Sequence, residues 1–235
     1  MNLAASDMAL GVSFWTLMIN TWMVMAVLVA TSYWLTRHLQ YADHPSPEQN
    51  FLEAVVEVID QQISEIAGGK ASPYLAFVGT IFLFIFTANV MAIIPSLGQL
   101  VPGWPMVYYP PTATLDTTAA LALAVLLAVP CFSLVRDGVR HYLGTYLEPT
   151  PFMLPFNVIG ELSRTLALAV RLFGNMMSGV VMVSIIIGIA PFFFPVLLQL
   201  LGLVTGAIQA YIFAVLAMVY IASAAKTHQK AGKEK

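Results

Sequence analysis

Five stretches of this chain stay apolar for about 20 residues or more, the length a helix needs to cross a bilayer core about 30 Å thick. They run over 12–34, 74–97, 114–135, 152–189 and 192–225. No other feature constrains the fold as much. Hydrocarbon offers the backbone no water to bond, so each spanning segment must satisfy its own N–H and C=O groups as a helix. Composition agrees, with 59% hydrophobic and 9% charged residues in a chain of 235, where a soluble domain carries about 25% charge. The expected class is an all-α polytopic membrane protein, a single integral membrane domain over 1–235. The first span is expected to remain in the mature protein, because residues 1–11 contain no Lys or Arg and the run exceeds a signal-peptide core. The lone Cys131 excludes an internal disulfide and reads as a small buried hydrophobe.

Charge in the connections sets the expected orientation. Arg164 and Arg171 lie inside the fourth apolar segment. The other basic residues, Arg37, Lys70, Arg136, Arg140, Lys226, Lys230, Lys233 and Lys235, fall in the connections after segments one and three or in the tail. The positive-inside rule then puts the N-terminus outside and the C-terminus in the cytoplasm. These cations form no patch suited to nucleic acid, so no nucleic-acid partner is expected. The cytoplasmic stretch 48–67 repeats Phe51, Leu52, Val55, Val56, Ile59, Ile63 and Ile66 at helical spacing, opposite Glu53, Glu57, Asp60 and Glu65. It is expected to be an amphipathic surface helix. The outer connection Gly98–Pro111, rich in Pro and aromatic residues, is expected to form a non-helical cap, and 136–150 to hold a short interfacial helix. His38, His44, His141 and His228 all fall in cytoplasmic connections or the tail, where neither a metal site nor a relay is expected.

Segment four is too long to stand upright. A helix of roughly 55 Å against about 30 Å of hydrocarbon must tilt strongly, bend or lie partly along the membrane, and a steep incline is expected. Along it Asn157, Arg164, Arg171 and Ser178 recur every seven residues, a drift of only about 20° per step. Glu161 and Asn175 flank that row, so one face of an apolar helix is polar over several turns. Glu161 and Arg164, three residues apart, can pair with each other. Arg171 has no such neighbour: Ala167, Leu168, Gly174 and Asn175 surround it at helical spacing. A guanidinium at the bilayer centre costs about 2.5–3.5 kcal/mol even on insertion scales, and it marks a functional site by default. The other membrane acid, Asp116, opens segment three near the outer surface. The counter-charge for Arg171 is therefore expected on another polypeptide, with bonding to backbone carbonyls as the alternative. On segment five Gly202, Thr205, Gly206, Gln209 and Phe213 share a small, weakly polar face, and Gln209 is the expected neighbour of Arg171.

Two runs carry a resemblance to a known family. Ser163-Arg-Thr-Leu-Ala-Leu-Ala-Val-Arg171-Leu-Phe-Gly-Asn175-Met, followed by the segment from Gln209 to Tyr220, closely resembles subunit a of the rotary F-type ATP synthases, the stator of their membrane sector. Asn89 through Pro95 and Pro111 through Asp116 extend the match within 77–222. The resemblance implies a non-catalytic subunit of a bacterial inner-membrane complex. Its partners would be a rotating ring of c subunits, each with a membrane carboxylate, the peripheral stalk subunit b, and the other ATP synthase subunits. It implies two offset half-channels, no cofactor, and for Arg171 the role of the stator arginine that meets each ion-free carboxylate. Asn175 and Gln209 match positions near that arginine, and the strongly tilted penultimate helix, packed on the last one, is what following a ring requires.

The departures bear on the ion. Where proton-driven members place acidic or histidine groups in the outer half-channel, this chain has Val180 and Gly202, and Asn157 stands where some members have an acid. Sodium needs oxygen ligands and water, whereas a proton path uses titratable relays. The chain therefore permits a sodium-coupled machine or a water-filled proton path, with sodium preferred. Asp116, Glu161, Asn89, Thr87 and Ser178 remain to line the half-channels. A self-contained secondary transporter is the competing reading; such folds carry paired repeats, and none is visible here. A membrane assembly protein is a third.

Overall fold

The computed structural model describes residues 14–37, 47–67, 72–92, 109–137, 154–189 and 194–231. These form six α-helices: α1 Phe14–Arg37, α2 Pro47–Ala67, α3 Ser72–Met91, α4 Leu115–Asp137, α5 Leu154–Ile189 and α6 Phe194–Ala231, with a 3-10 turn at Pro111–Ala113 before α4. All but α2 are long and apolar enough to cross a membrane. The expected all-α, five-span architecture is present, with boundaries that move by a few residues. Segment two ends as a helix at Met91, and its expected continuation 93–97 lies outside the described residues, as do 98–108 and 138–150 of the expected outer cap and interfacial helix. Pro111, expected to be non-helical, instead opens the 3-10 turn, a first position where its missing N–H costs nothing.

The last helix organises the bundle. α6 packs against α2, α3, α4 and α5, α5 rests on α4 and α6, and α1 lies against α3. Helix α2 docks through its apolar stripe: Ile63 is buried with Tyr74, Val78, Ala214 and Met218, and the Tyr211 hydroxyl donates to Gln62 Oε1 at 2.6 Å. Thus the amphipathic helix covers protein at the end of the bundle to which α6 carries Lys226 and Lys230. Its opposite end holds the 3-10 turn.

The two ends have different interiors. Around α2 the core is an apolar cluster of Ile63, Val78, Ala128, Val129, Met218 and Ile221. A second cluster joins Ile85, Val125, Leu168, Leu172 and Phe213 at mid-height. Toward the turn end, buried Asn20, Asn89, Thr112, Gln199 and Gln209 replace hydrocarbon. Cys131 departs from expectation: it is exposed. It follows Pro130 within α4 and turns away from the core of this chain.

Candidate functional site

Helix α5 supplies the polar seam. Its 36 residues rise through about 54 Å, well beyond about 30 Å of hydrocarbon, so it must cross at a steep incline. Leu168, Ala169 and Leu172 are buried against the bundle. The flank beside this buried face carries Asn157, Arg164, Arg171 and Ser178, all exposed, and the far side carries exposed Ile159, Leu162, Leu166 and Val170. Glu161 and Asn175 are half-buried at its edges. The seven-residue spacing read from the sequence is therefore an outward-facing row.

Arg171 lies near the middle of α5, and its guanidinium makes no hydrogen bond or ion pair among the described residues. The backbone-carbonyl alternative is accordingly not realised within them. Ala167, Leu168, Gly174 and Asn175 surround it at helical spacing, and no carboxylate among the described residues offsets the cost of placing this cation in a membrane. Arg164 is held differently. Its guanidinium sits 5.8 Å from the centroid of the Tyr220 ring on α6, within cation–π range. The Glu161 and Arg164 pairing considered from sequence overlooked this contact, because a helix-to-helix aromatic partner has no signature in local spacing.

Register between α5 and α6 is fixed near the arginine. Asn175 Nδ2 donates to the Thr205 carbonyl at 3.5 Å, and antiparallel packing from that point brings residue 171 level with residue 209. Gln209 is nonetheless buried, and its Nε2 has no hydrogen-bond partner among the described residues. It faces the bundle interior while Arg171 faces out, so the two expected neighbours are level with each other without being bonded. Ser178 is occupied locally, its hydroxyl donating to the Asn175 carbonyl at 3.0 Å.

Behind this pair the turn end is tied together by polar contacts. Asn89 Nδ2 donates to the Gly206 carbonyl at 3.1 Å, while Asn89 Oδ1 accepts from the Thr112 hydroxyl at 2.9 Å. Gly206 leaves room for this contact. A Cβ at that position would lie 3.1 Å from Asn89 Nδ2 and 3.2 Å from Asn89 Cβ. Asn20 Nδ2 donates to the Tyr109 carbonyl at 3.0 Å, and the Tyr109 hydroxyl lies 3.1 Å from Met177 Sδ and 3.4 Å from the Ala113 carbonyl. Helices α1, α3 and α5 thus meet through the segment 109–114, and Asn89 links it to α6. Burial pushes the Tyr109 hydroxyl above its ordinary pKa. Asp116 is exposed in the first turn of α4, where a helix N-terminus favours negative charge. Sequence reasoning missed Asn20, Thr112, Tyr109 and Gln199; isolated polar residues within or beside apolar runs were the available signal.

No group of three or more His, Cys, Asp or Glu side chains gathers to hold a metal among the described residues.

Comparison with known proteins gives this geometry a family. The sequence profile of the family described as ATP synthase A chain matches residues 18–222. The chain is 52% identical over 212 residues to ATP synthase subunit a 2 of Acaryochloris marina, covering 90% of this chain and 86% of that one. It is 51% identical over 213 residues to ATP synthase subunit a 2 of Picosynechococcus, covering 91% and 87%, and 50% identical over 212 residues to ATP synthase subunit a 1 of Chlorobaculum parvum, covering 90% and 89%. The bundle of apolar helices with an outward-facing arginine belongs to the ATP synthase subunit a family, a multi-pass membrane component of the ion-translocating sector that works with the other subunits of that complex.

Proposed function

We propose that this chain is the non-catalytic stator of the membrane sector, and that Arg171 exchanges ions with the carboxylates of a rotating c-subunit ring. The observation that carries this reading is the outward-facing Arg171, without a partner among the described residues, in an exposed row on a steeply inclined helix. A cation so placed attracts a carboxylate that arrives from outside the chain. It holds that carboxylate in its ion-free form and so displaces the bound ion, a proton or a sodium ion. Because a guanidinium stays charged and is planar, it serves this purpose better than an ammonium, which loses its charge when desolvated.

Orientation follows from the basic residues. Arg37 closes α1, and Lys226 and Lys230 lie at the C-terminal end of α6, so this end of the bundle faces the cytoplasm and the turn end faces outside. The two half-channels then differ in construction. The outer one runs through the polar interior bounded by Asn89, Thr112, Asn175 and Gln209. The apolar core around Ile63 and Met218 blocks a matching interior path on the cytoplasmic side. The inner half-channel therefore runs along the seam of exposed Asn157 and Arg164 and half-buried Glu161, between α5 and the ring. Arg171 separates the two and prevents a direct leak. Helix α2 and the cytoplasmic end offer the docking site for peripheral stalk subunit b.

The test is transport by the complete reconstituted complex. On ATP addition, vesicles are expected to accumulate sodium or to acidify, a protonophore separating the two cases. Uptake of a solute by the purified chain alone would instead establish a self-contained transporter.

A further inference from the structure

Three amides of the turn end are accounted for. Asn20, Asn89 and Asn175 each donate to a named carbonyl. Gln199 does not. It is 6% exposed, and neither its amide nitrogen nor its amide oxygen has a hydrogen-bond partner among the described residues. Burying an amide with both functions unmet is strongly unfavourable, so buried polar atoms of this kind call for a partner such as water or an ion. Gln199 lies about 15 Å along α6 from Gln209, whose Nε2 is likewise buried and without a partner. Between them a side-chain carbon added at Gly202 would meet no atom within 4 Å. Two unmet amides thus flank a half-buried position on one helix where an added carbon finds room, at the end of the bundle already rich in buried polar groups.

We propose that Gln199 is the outermost polar contact of the outer half-channel, where water and the incoming hydrated monovalent cation are received before they pass Gly202 toward Gln209. This rests on the ion-exchanging reading of the chain. An amide suits the position because its carbonyl oxygen ligates a cation or accepts from water, while its N–H groups donate to water. It does both without titrating. The chain thereby provides a polar entry on α6 although Val180 and Gly202 cannot ionise.

The experiment uses the whole complex in sealed vesicles with Cys131→Ala, so that Gln199→Cys is the reactive thiol in this chain. Silver ion, a small hydrated cation, added from the turn-end side is expected to label Gln199→Cys and to inhibit ATP-driven transport. Absence of labelling from that side overturns the assignment. In a second arm, ATP synthesis is driven by an imposed gradient of the transported ion. Gln199→Leu is expected to raise the half-saturating outer ion concentration about tenfold, the scale of one lost contact to a charged group, with the maximal rate kept and Gln199→Asn intermediate. A structural amide predicts instead an unchanged half-saturation with less assembled complex, which would also overturn the proposal. Should Gln199→Leu fail to assemble, the silver arm decides. Arg171→Ala is run in parallel: if it abolishes transport while both Gln199 arms are silent, only the Gln199 assignment fails. If Arg171→Ala transports normally, the ring-exchange reading fails first.

Discussion

Gly206→Ala places one methyl group where α6 meets α3, and the structure allows its effect to be worked out. The new Cβ would stand 3.1 to 3.3 Å from Asn89 Nδ2, Cβ and Cγ. Asn89 cannot swing aside cheaply, since it is 4% exposed and bonded at both ends, to Thr112 and to the Gly206 carbonyl. Overpacking at such a site costs about 1–3 kcal/mol, and loss of the Asn89 bond about 1 kcal/mol more. Alanine recovers about 0.5–1 kcal/mol of helix preference over glycine. The net destabilisation expected is therefore about 1–3 kcal/mol, read as a lowered thermal midpoint of the complex in detergent and as faster amide exchange along α3 near Asn89. Gly202→Ala is the internal control for stability, because no atom lies within 4 Å of its added carbon. It should leave the midpoint unchanged or slightly higher. Equal stability of Gly206→Ala and the unaltered protein would refute the reasoning, since it would mean that Asn89 yields without cost.

Three further outcomes follow from contacts elsewhere. Tyr109→Phe removes the hydroxyl that faces Met177 Sδ and the Ala113 carbonyl and should lower stability by about 1 kcal/mol, measured by denaturation of the purified complex. Because burial raises the Tyr109 pKa above its ordinary value of 10.0, its contribution is fully present below that value and is lost as pH rises through the higher folded pKa; alkaline titration should show this loss in the unaltered protein and not in Tyr109→Phe. Tyr220→Leu should cost about 0.5–1 kcal/mol through the Arg164 cation–π contact, while Tyr220→Phe, which keeps the ring face, should cost less in the same assay.

The membrane class, the spans and the single polar row on α5 were legible in the sequence because they are periodic, while the side to which that row turns was not. Apolar run length specifies a span, and a seven-residue repeat keeps Asn157, Arg164, Arg171 and Ser178 on one face whatever packs behind it. Whatever depends on two distant segments meeting was not legible. Asn20 reaches Tyr109 across 89 residues and Asn89 reaches Gly206 across 117, and no local pattern encodes those separations. Cys131 was misjudged for a related reason. In a membrane helix the core face and the lipid face are equally apolar, so hydropathy does not say which way a small residue turns. The docking of α2 was legible as an amphipathic stripe, but its partners on α3 and α6 were not.

The central claim is that the counter-charge of Arg171 comes from a moving neighbour and not from this chain. ATP-driven ion transport by the complete complex carrying Arg171→Ala, at normal assembly and with ATP hydrolysis by the catalytic sector still measurable, tests it most directly. The account predicts that transport is abolished. Undiminished coupled transport in that variant would contradict it.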